Sequence, residues 1–147
     1  MIRKLLATNT DILQLILRLT LGIVMFPHGA QKLLGWFGGG GFSATMQGMT
    51  GMGLPSVIVF LVIVAEFFGS LGLITGFLTR FSAFGIAIVM LGAVATVHAK
   101  IGFFMNWMGQ QQGEGFEYHL LVLGIALALM IRGGGAYSVD GALQGNK

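Results

Sequence analysis

Apolar residues occupy four long blocks of the chain, and short polar or glycine-rich segments separate them. A helix needs ~20 residues to cross a hydrocarbon core of ~30 Å. The pattern therefore predicts four helical spans, at about residues 12–34, 55–78, 81–99 and 116–131. Arg132 and the glycines at 133–135 end the last and shortest block, because glycine favours the conformation that closes a helix. We predict an all-α membrane protein, a four-helix transmembrane bundle.

The segment between the first two spans carries a second apolar pattern. It begins with the glycines 38–41, and four large apolar residues then recur at helical spacing: Phe42, Met46, Met49 and Met52. Such spacing predicts a short interfacial helix in the first outer loop, lying on the membrane surface. Two roles fit it: a lid that rests among the headgroups, or a gate over a lipid-facing pocket.

Composition supports the membrane interpretation. Hydrophobic residues make up 55% of the 147-residue chain, charged residues only 9%, and the mean hydropathy is +0.86. A soluble domain has about 25% charged residues. We therefore expect lipid to cover much of the surface, and one transmembrane domain over residues 1–147 without a soluble domain. The first apolar block exceeds the 7–15 residues of a signal peptide, so we interpret it as a retained span.

Charge and cysteine content narrow the function classes. The chain has no cysteine, which excludes thiolate metal sites, iron–sulfur clusters on its own ligands and dithiol chemistry. The net charge of +3 comes from Lys and Arg spread along the chain, so it indicates topology and not nucleic-acid binding.

The positions of Lys and Arg predict an N-in, C-in orientation, since cytoplasmic segments carry the excess of positive residues. With the N-terminus inside, the cytoplasmic side receives Arg3, Lys4, Arg80, Arg132 and Lys147. The outer side receives Lys32 and Lys100.

Ionisable side chains inside the apolar blocks are the candidates for chemistry, because such groups are costly in lipid and usually functional. At 1.5 Å per residue, Arg18 lies ~9 Å from the cytoplasmic start of its span, and Glu66 lies ~16 Å from the outer start of its own. His28 and His98 lie ~24 Å from the cytoplasmic ends of theirs. Glu117 and His119 open the fourth span on the outer side. Three histidines from three helices are thus predicted at one level of the membrane.

Several interpretations of these groups stay open. Glu66 has three possible partners: Arg18, Lys32 or a proton of its own. An Arg18–Glu66 ion pair would simply tie two helices together, whereas an unpaired carboxyl group suggests a function. His28 either donates to a backbone carbonyl freed by Pro27 or binds a ligand carbonyl beside Lys32, which lies one helical turn away.

Metal and haem are weaker hypotheses. His28, His98 and His119 lack a tight ligand spacing, and thiolates are absent, so we predict no metal site. A haem held by His28 and His98 is a minor alternative, because helix bundles hold haem between facing histidines.

The sequence resembles the DoxX family of small bacterial integral membrane proteins along nearly its whole length. The resemblance rests on short motifs in the family's order: Arg18, His28-Gly29 with Lys32-Leu33, Glu66 with Gly69, Gly76 to Arg80, Glu117-Tyr118, and the tail from Gly133 to Asp140. It implies a four-helix bundle in the bacterial inner (plasma) membrane. The family takes its name from a subunit of a thiosulfate:quinone oxidoreductase, which implies a redox-linked role at the quinone pool.

We therefore predict a quinone-like ligand in the outer half of the bundle. His28 and Lys32 would donate hydrogen bonds to its carbonyls, and Glu66 with Arg18 would form the buried proton or charge element. Glu66 and His28 are the candidate catalytic residues. The candidate binding residues are Arg18, His28, Lys32, Glu66, His98, Glu117 and His119.

The chain carries no obvious electron carrier, so an enzymatic role requires a bound cofactor or a redox protein partner. Two alternatives remain: a non-enzymatic membrane subunit that docks or assembles a redox partner, and a small transporter. The expected partners are membrane lipid and a redox protein, with a homo-oligomer possible and no nucleic acid.

Overall fold

The structure is a computed structural model that describes residues 6–145, and helices are its only regular elements in that range. Six α-helices follow one another: α1 (Ile12–Leu34), α2 (Gly41–Gly51), α3 (Ser56–Thr75), α4 (Thr79–Thr96), α5 (Glu117–Arg132) and α6 (Val139–Leu143). One 3-10 turn (His98–Lys100) follows α4. The all-helical prediction is confirmed. Of the charges used to predict topology, Arg3, Lys4 and Lys147 lie outside the described residues.

Three of the helices, α1, α3 and α4, are long and apolar enough to cross a membrane. The fourth predicted span corresponds to α5, which has 16 residues. At 1.5 Å per residue this helix is ~24 Å long, less than the ~30 Å of a hydrocarbon core. The structure therefore supports three candidate spans by length and composition.

The turn between α3 and α4 explains why these helices end and begin where they do. Gly76 adopts a left-handed conformation with φ 70° and closes α3 three residues earlier than hydropathy predicts. Leu78 is also left-handed, with φ 47°, which costs about 1–3 kcal/mol for a residue with a side chain. The carboxylate of Asp140, in the C-terminal tail, accepts hydrogen bonds from the backbone N–H groups of Leu78 (2.7 Å) and Thr79 (2.9 Å). The tail thus holds this strained turn and starts α4.

The four long helices surround one apolar core. α3 packs between α1 and α4, α4 packs against α5, and α5 closes the ring by packing less extensively against α1. Residues from all four meet in the core: Leu21, Met25, Leu73, Ala83, Ile86, Met90, Val122, Ala126 and Leu129. We call the end that carries α2 the α2 end, and the opposite end, with the α3–α4 turn and α6, the tail end.

The first long loop contains α2, at the position where the sequence predicts a short helix. α2 packs against both α1 and α3. Phe42 meets Phe60 of α3 edge to face, with ring centroids 6.5 Å apart. The helix is therefore attached to the bundle across the ends of α1 and α3.

Candidate functional site

The site begins with a close approach of two helices. α1 continues through Pro27 without a break, and Gly29 follows it on the side that faces α3. A Cβ atom at Gly29 would lie 2.6 Å from the Cα atom of Phe67, so only glycine fits there. This contact brings the last turns of α1 beside Glu66.

An ion pair joins the two helices at this contact. The Nζ atom of Lys32 donates to Oε2 of Glu66 at 2.6 Å, and the side chains are 25% and 5% exposed. It is the only salt bridge among residues 6–145. A buried ion pair contributes little net stability, but removal of one partner leaves a buried charge and is strongly destabilising. Of the three partners that the sequence allowed for Glu66, the structure selects Lys32.

Arg18 is not part of this pair, so the Arg18–Glu66 interpretation is wrong. Its guanidinium lies toward the tail end and donates five hydrogen bonds to backbone carbonyls, those of Leu73, Ile74, Gly134, Ala136 and Tyr137. The first two carbonyls belong to the last turn of α3, beyond the regular helical hydrogen bonds, and that of Leu73 also accepts from the N–H of Gly76 at 3.3 Å. Arg18 therefore fastens the C-terminal tail to α1 and α3.

His28 lies on the outside of the bundle, where α1 meets α5. Its side chain is exposed and forms no hydrogen bond within the described part of the chain. The predicted bond to a backbone carbonyl freed by Pro27 is thus not formed. The imidazole instead neighbours the ring of Tyr118 on α5, with centroids 6.5 Å apart, and interacts electrostatically with Lys32 and Glu66.

Tyr118 also belongs to this site, although the sequence did not predict it as a site residue. Its hydroxyl donates to the Sδ atom of Met25 at 3.6 Å, and the side chain interacts electrostatically with Glu66. A thioether is a weak acceptor, so the hydroxyl is held in place yet free to donate to a better one. His28, Lys32, Glu66 and Tyr118 together form what we call the lateral site. The Glu117-Tyr118 motif at the start of α5 was the feature of the sequence that could have identified Tyr118.

The other two histidines form a separate pair at the α2 end. The rings of His98 and His119 lie 4.1 Å apart, centroid to centroid. His98 Nδ1 is 2.7 Å from the backbone oxygen of Glu114, whereas the buried Nδ1 of His119 has no hydrogen-bond partner in the described structure. Tyr118 connects this pair to the lateral site, since its ring centroid is 5.5 Å from that of His119.

Glu117 organises a loop. Its Oε1 atom accepts hydrogen bonds from the backbone N–H of Met105 at 2.8 Å and from Nε1 of Trp107 at 2.9 Å. The carboxylate is therefore engaged with the loop between α4 and α5. Across residues 6–145, no group of three or more His, Asp or Glu side chains is arranged to hold a metal ion.

Chemically, the lateral site offers two hydrogen-bond donors, the imidazole and the phenol, with a buried ion pair beside them. The exposed imidazole and the weakly held phenol suit a carbonyl-bearing ligand that arrives from the lipid. The ion pair places one ammonium and one carboxylate group behind these donors. The haem hypothesis stays a prediction, with the Nδ1 atom of His98 already occupied by a backbone carbonyl.

Comparison with known proteins places the chain in a family. The family model DoxX matches residues 13–99, more than half of the chain. Over 115 residues the chain is 34% identical to the Bacillus subtilis protein named "Putative oxidoreductase CatD", covering 78% of this chain and 76% of that protein. Over 134 residues it is 33% identical to the Escherichia coli "Inner membrane protein YqjF", covering 91% of this chain and 94% of that protein.

No solved structure matches the chain significantly. The family match, the relatives and the three apolar helices agree with one another and with the resemblance found in the sequence. The chain belongs to the DoxX family and is a multi-pass protein of the inner membrane.

Proposed function

We propose that the protein binds a quinone-like ligand at the lateral site and serves a quinone-linked oxidoreductase system in the inner membrane. The observation that carries this proposal is the position of His28. An imidazole that forms no hydrogen bond to any residue in the range 6–145, exposed on the apolar side of a bundle, is unfavourable in lipid unless a ligand satisfies it. A lipid-soluble ring with carbonyl oxygens would satisfy it from the bilayer side.

The residues of the lateral site have two different roles in this proposal. His28 and Tyr118 donate hydrogen bonds to ligand oxygens, with Met25 holding the phenol in place. Lys32 and Glu66 form the buried charge element, in which Lys32 takes the role that the sequence assigned to Arg18. A quinone, when bound, supplies the capacity to accept two electrons and two protons. The chain's own part is to orient the ring and to hold a proton on the ammonium group of Lys32.

Electrons require a source outside this chain. Their supply by a redox protein in the same membrane is part of the proposal, and the relative named as an oxidoreductase supports it. A docking or assembly subunit without a quinone site and a small transporter are the competing functions.

We also propose the finer membrane arrangement. α5 forms a fourth crossing, and both termini are cytoplasmic. The charges at the tail end support this orientation, since Arg80 and Arg132 lie there while Lys100 lies near the α2 end. Reporter fusions after residues 54, 78 and 115 would give outside, inside and outside locations, respectively.

Quinone titration of the purified protein in nanodiscs tests the proposed function. Loss of one hydrogen bond costs about 0.5–1.5 kcal/mol of binding free energy, so His28→Ala is expected to weaken binding about 2- to 12-fold. His28→Gln keeps an N–H donor and is expected to recover part of the loss. Ile16→Ala is the matched control, because Ile16 is 55% exposed on the same helix, three turns away.

Two results would contradict the proposal. One is saturable quinone binding that is unchanged in His28→Ala, and the other is the absence of saturable binding to the wild type. Redox-partner capture without quinone binding would favour the docking subunit, and solute flux into liposomes would favour the transporter.

A further inference from the structure

Lys32 borders a second feature besides the lateral site. An open groove of about 480 Å³ lies at the α2 end, between the last turns of α1 and the inner face of α2. Gln31, Lys32, Gly40, Thr45, Gly48 and Met49 are among the residues that line it. Lys32 is thus the one side chain that both lines this groove and contacts Glu66.

The walls of the groove carry polar groups beside the methionines Met49 and Met52. Gln31 and Thr45 are polar, and the glycines expose backbone groups. Gln31 Nε2 donates to the carbonyl of Phe37, and Thr45 Oγ1 donates to the carbonyl of Lys32, so both side chains are fixed along its wall. The groove opens at the end of the bundle where α1 stops and α3 begins, which is the level of the membrane–water interface for helices of this length.

The opposite direction is closed. Toward the tail end, the interior beyond Glu66 is filled by Leu21, Met25 and Leu73, each at most 1% exposed. Ser70 is also buried on this side, one turn of α3 from Glu66, but its hydroxyl already donates to the backbone carbonyl of Phe67 at 2.7 Å. Water therefore has an open approach to the ion pair at the α2 end and an apolar barrier at the other.

We infer that the groove beside α2 is the aqueous route by which the Lys32–Glu66 pair exchanges protons with water on the α2 side of the membrane. The pair holds one exchangeable proton, on the Lys32 nitrogen. When that proton passes to an oxygen atom of a ligand bound at the lateral site, Lys32 becomes a neutral amine. A hydronium ion in the groove then returns a proton to the amine and leaves a water molecule, so atoms and charge balance.

This inference deepens the proposed function, on which its role in proton supply rests, but the route itself can be tested without quinone. The chain has no cysteine, so a single introduced thiol reports on water access. Lys32→Cys combined with Glu66→Gln places a thiol at the bottom of the groove and leaves no unpaired carboxylate. Its reaction rate with a membrane-impermeant, cationic methanethiosulfonate is measured in proteoliposomes.

Two substitutions in α2, one that should block the groove and one that should not, test whether the reagent reaches the thiol through the groove. A Cβ atom at either Gly48 or Gly51 would meet nothing within 4 Å, so a larger side chain fits at both positions of α2. Gly48 lines the groove and Gly51 does not. We expect Gly48→Leu to slow the reaction at least tenfold and Gly51→Leu to change it less than twofold.

A thiol that does not react, or one that reacts equally fast with and without Gly48→Leu, would overturn the inference. If the Lys32→Cys variant does not fold, Thr45→Cys is measured in its place with the native ion pair intact. The same two criteria then apply to that thiol. A failed quinone titration would leave this result unaffected, so the two proposals fail separately.

Discussion

Replacing Lys32 with methionine tests whether the stability of the protein depends on the ion pair that Lys32 forms with the buried carboxylate of Glu66. Methionine keeps the apolar length of the side chain and removes the ammonium group 2.6 Å from the carboxylate. Glu66 is 4% exposed and has no other ion-pair partner in the described residues. Breaking a buried pair from one side costs about 3–5 kcal/mol, because the remaining charge is neither solvated nor compensated.

The expected loss of stability is large enough to measure in detergent. At about 2–4 °C per kcal/mol for a chain of this size, Lys32→Met should lower Tm by about 6–20 °C. The double variant Lys32→Met/Glu66→Gln removes both charges and should recover much of that loss. Lys100→Met is the control, since Lys100 is exposed at the same end of the bundle and has no ion pair among residues 6–145.

Two outcomes would refute this reasoning. If Lys32→Met melts at the wild-type temperature, Glu66 does not depend on Lys32. If the double variant is no more stable than Lys32→Met alone, the loss comes from packing of the lysine stem and not from an unpaired carboxylate.

Three further substitutions test other parts of the account. Gly29→Ala should push α1 away from α3, because the new Cβ would lie 2.6 Å from the Cα of Phe67. The expected loss of unfolding free energy is about 1–3 kcal/mol, measured by Tm. Gly48→Ala is the control and should be neutral, because its Cβ would meet free space. Arg18→Lys cannot form the five-bond fork and should expose the tail to limited proteolysis; a tail as resistant as in the wild type would contradict the fastening role. Asp140→Ala removes two hydrogen bonds to the Leu78 turn and should lower the unfolding free energy by about 0.5–2 kcal/mol, with the exposed Tyr137→Ala as control.

The helices follow from the sequence because hydropathy and stop signals are local. The first apolar run predicted the observed bounds of α1, and the glycines at 133–135 predicted the end of α5, whereas α3 is closed by Gly76 and ends at Thr75, three residues before the predicted end of its span. The early start of α4 was not predictable from local sequence, because its first N–H groups are bonded by Asp140, which lies 61 and 62 residues further along the chain. The short helix α2 was predictable from the spacing of four apolar residues in a glycine-rich loop.

The partner of Glu66 depends on side-chain direction, which depth along the helix does not reveal. Helical side chains lean toward the N-terminus of their own helix. The side chain of Lys32 on α1 therefore leans from the α2 end toward the bundle centre. The side chain of Glu66 on the antiparallel α3 leans in the opposite direction, toward the α2 end and so toward Lys32. Arg18 leans toward the tail end, away from Glu66. Gly29 also indicated which neighbour Lys32 would face. A glycine allows a second helix to approach closely, and residues 29 and 32, three positions apart, lie on the same face of α1.

The histidines show the limit of that reasoning. Placement at one level was predictable from helix lengths, and the structure brings His98 and His119 into contact. His28 faces outward beside Tyr118, because the rotation of each helix about its axis is set by packing. Hydropathy alone did not distinguish these two environments.

Photoaffinity labelling with an azido-quinone in native membranes tests the central claim most directly. The account predicts that the label attaches to peptides containing His28 and Tyr118, that excess unlabelled quinone removes it, and that His28→Ala reduces it while Ile16→Ala does not. Labelling confined to other segments, or labelling that unlabelled quinone does not displace, would contradict a ligand site at this position.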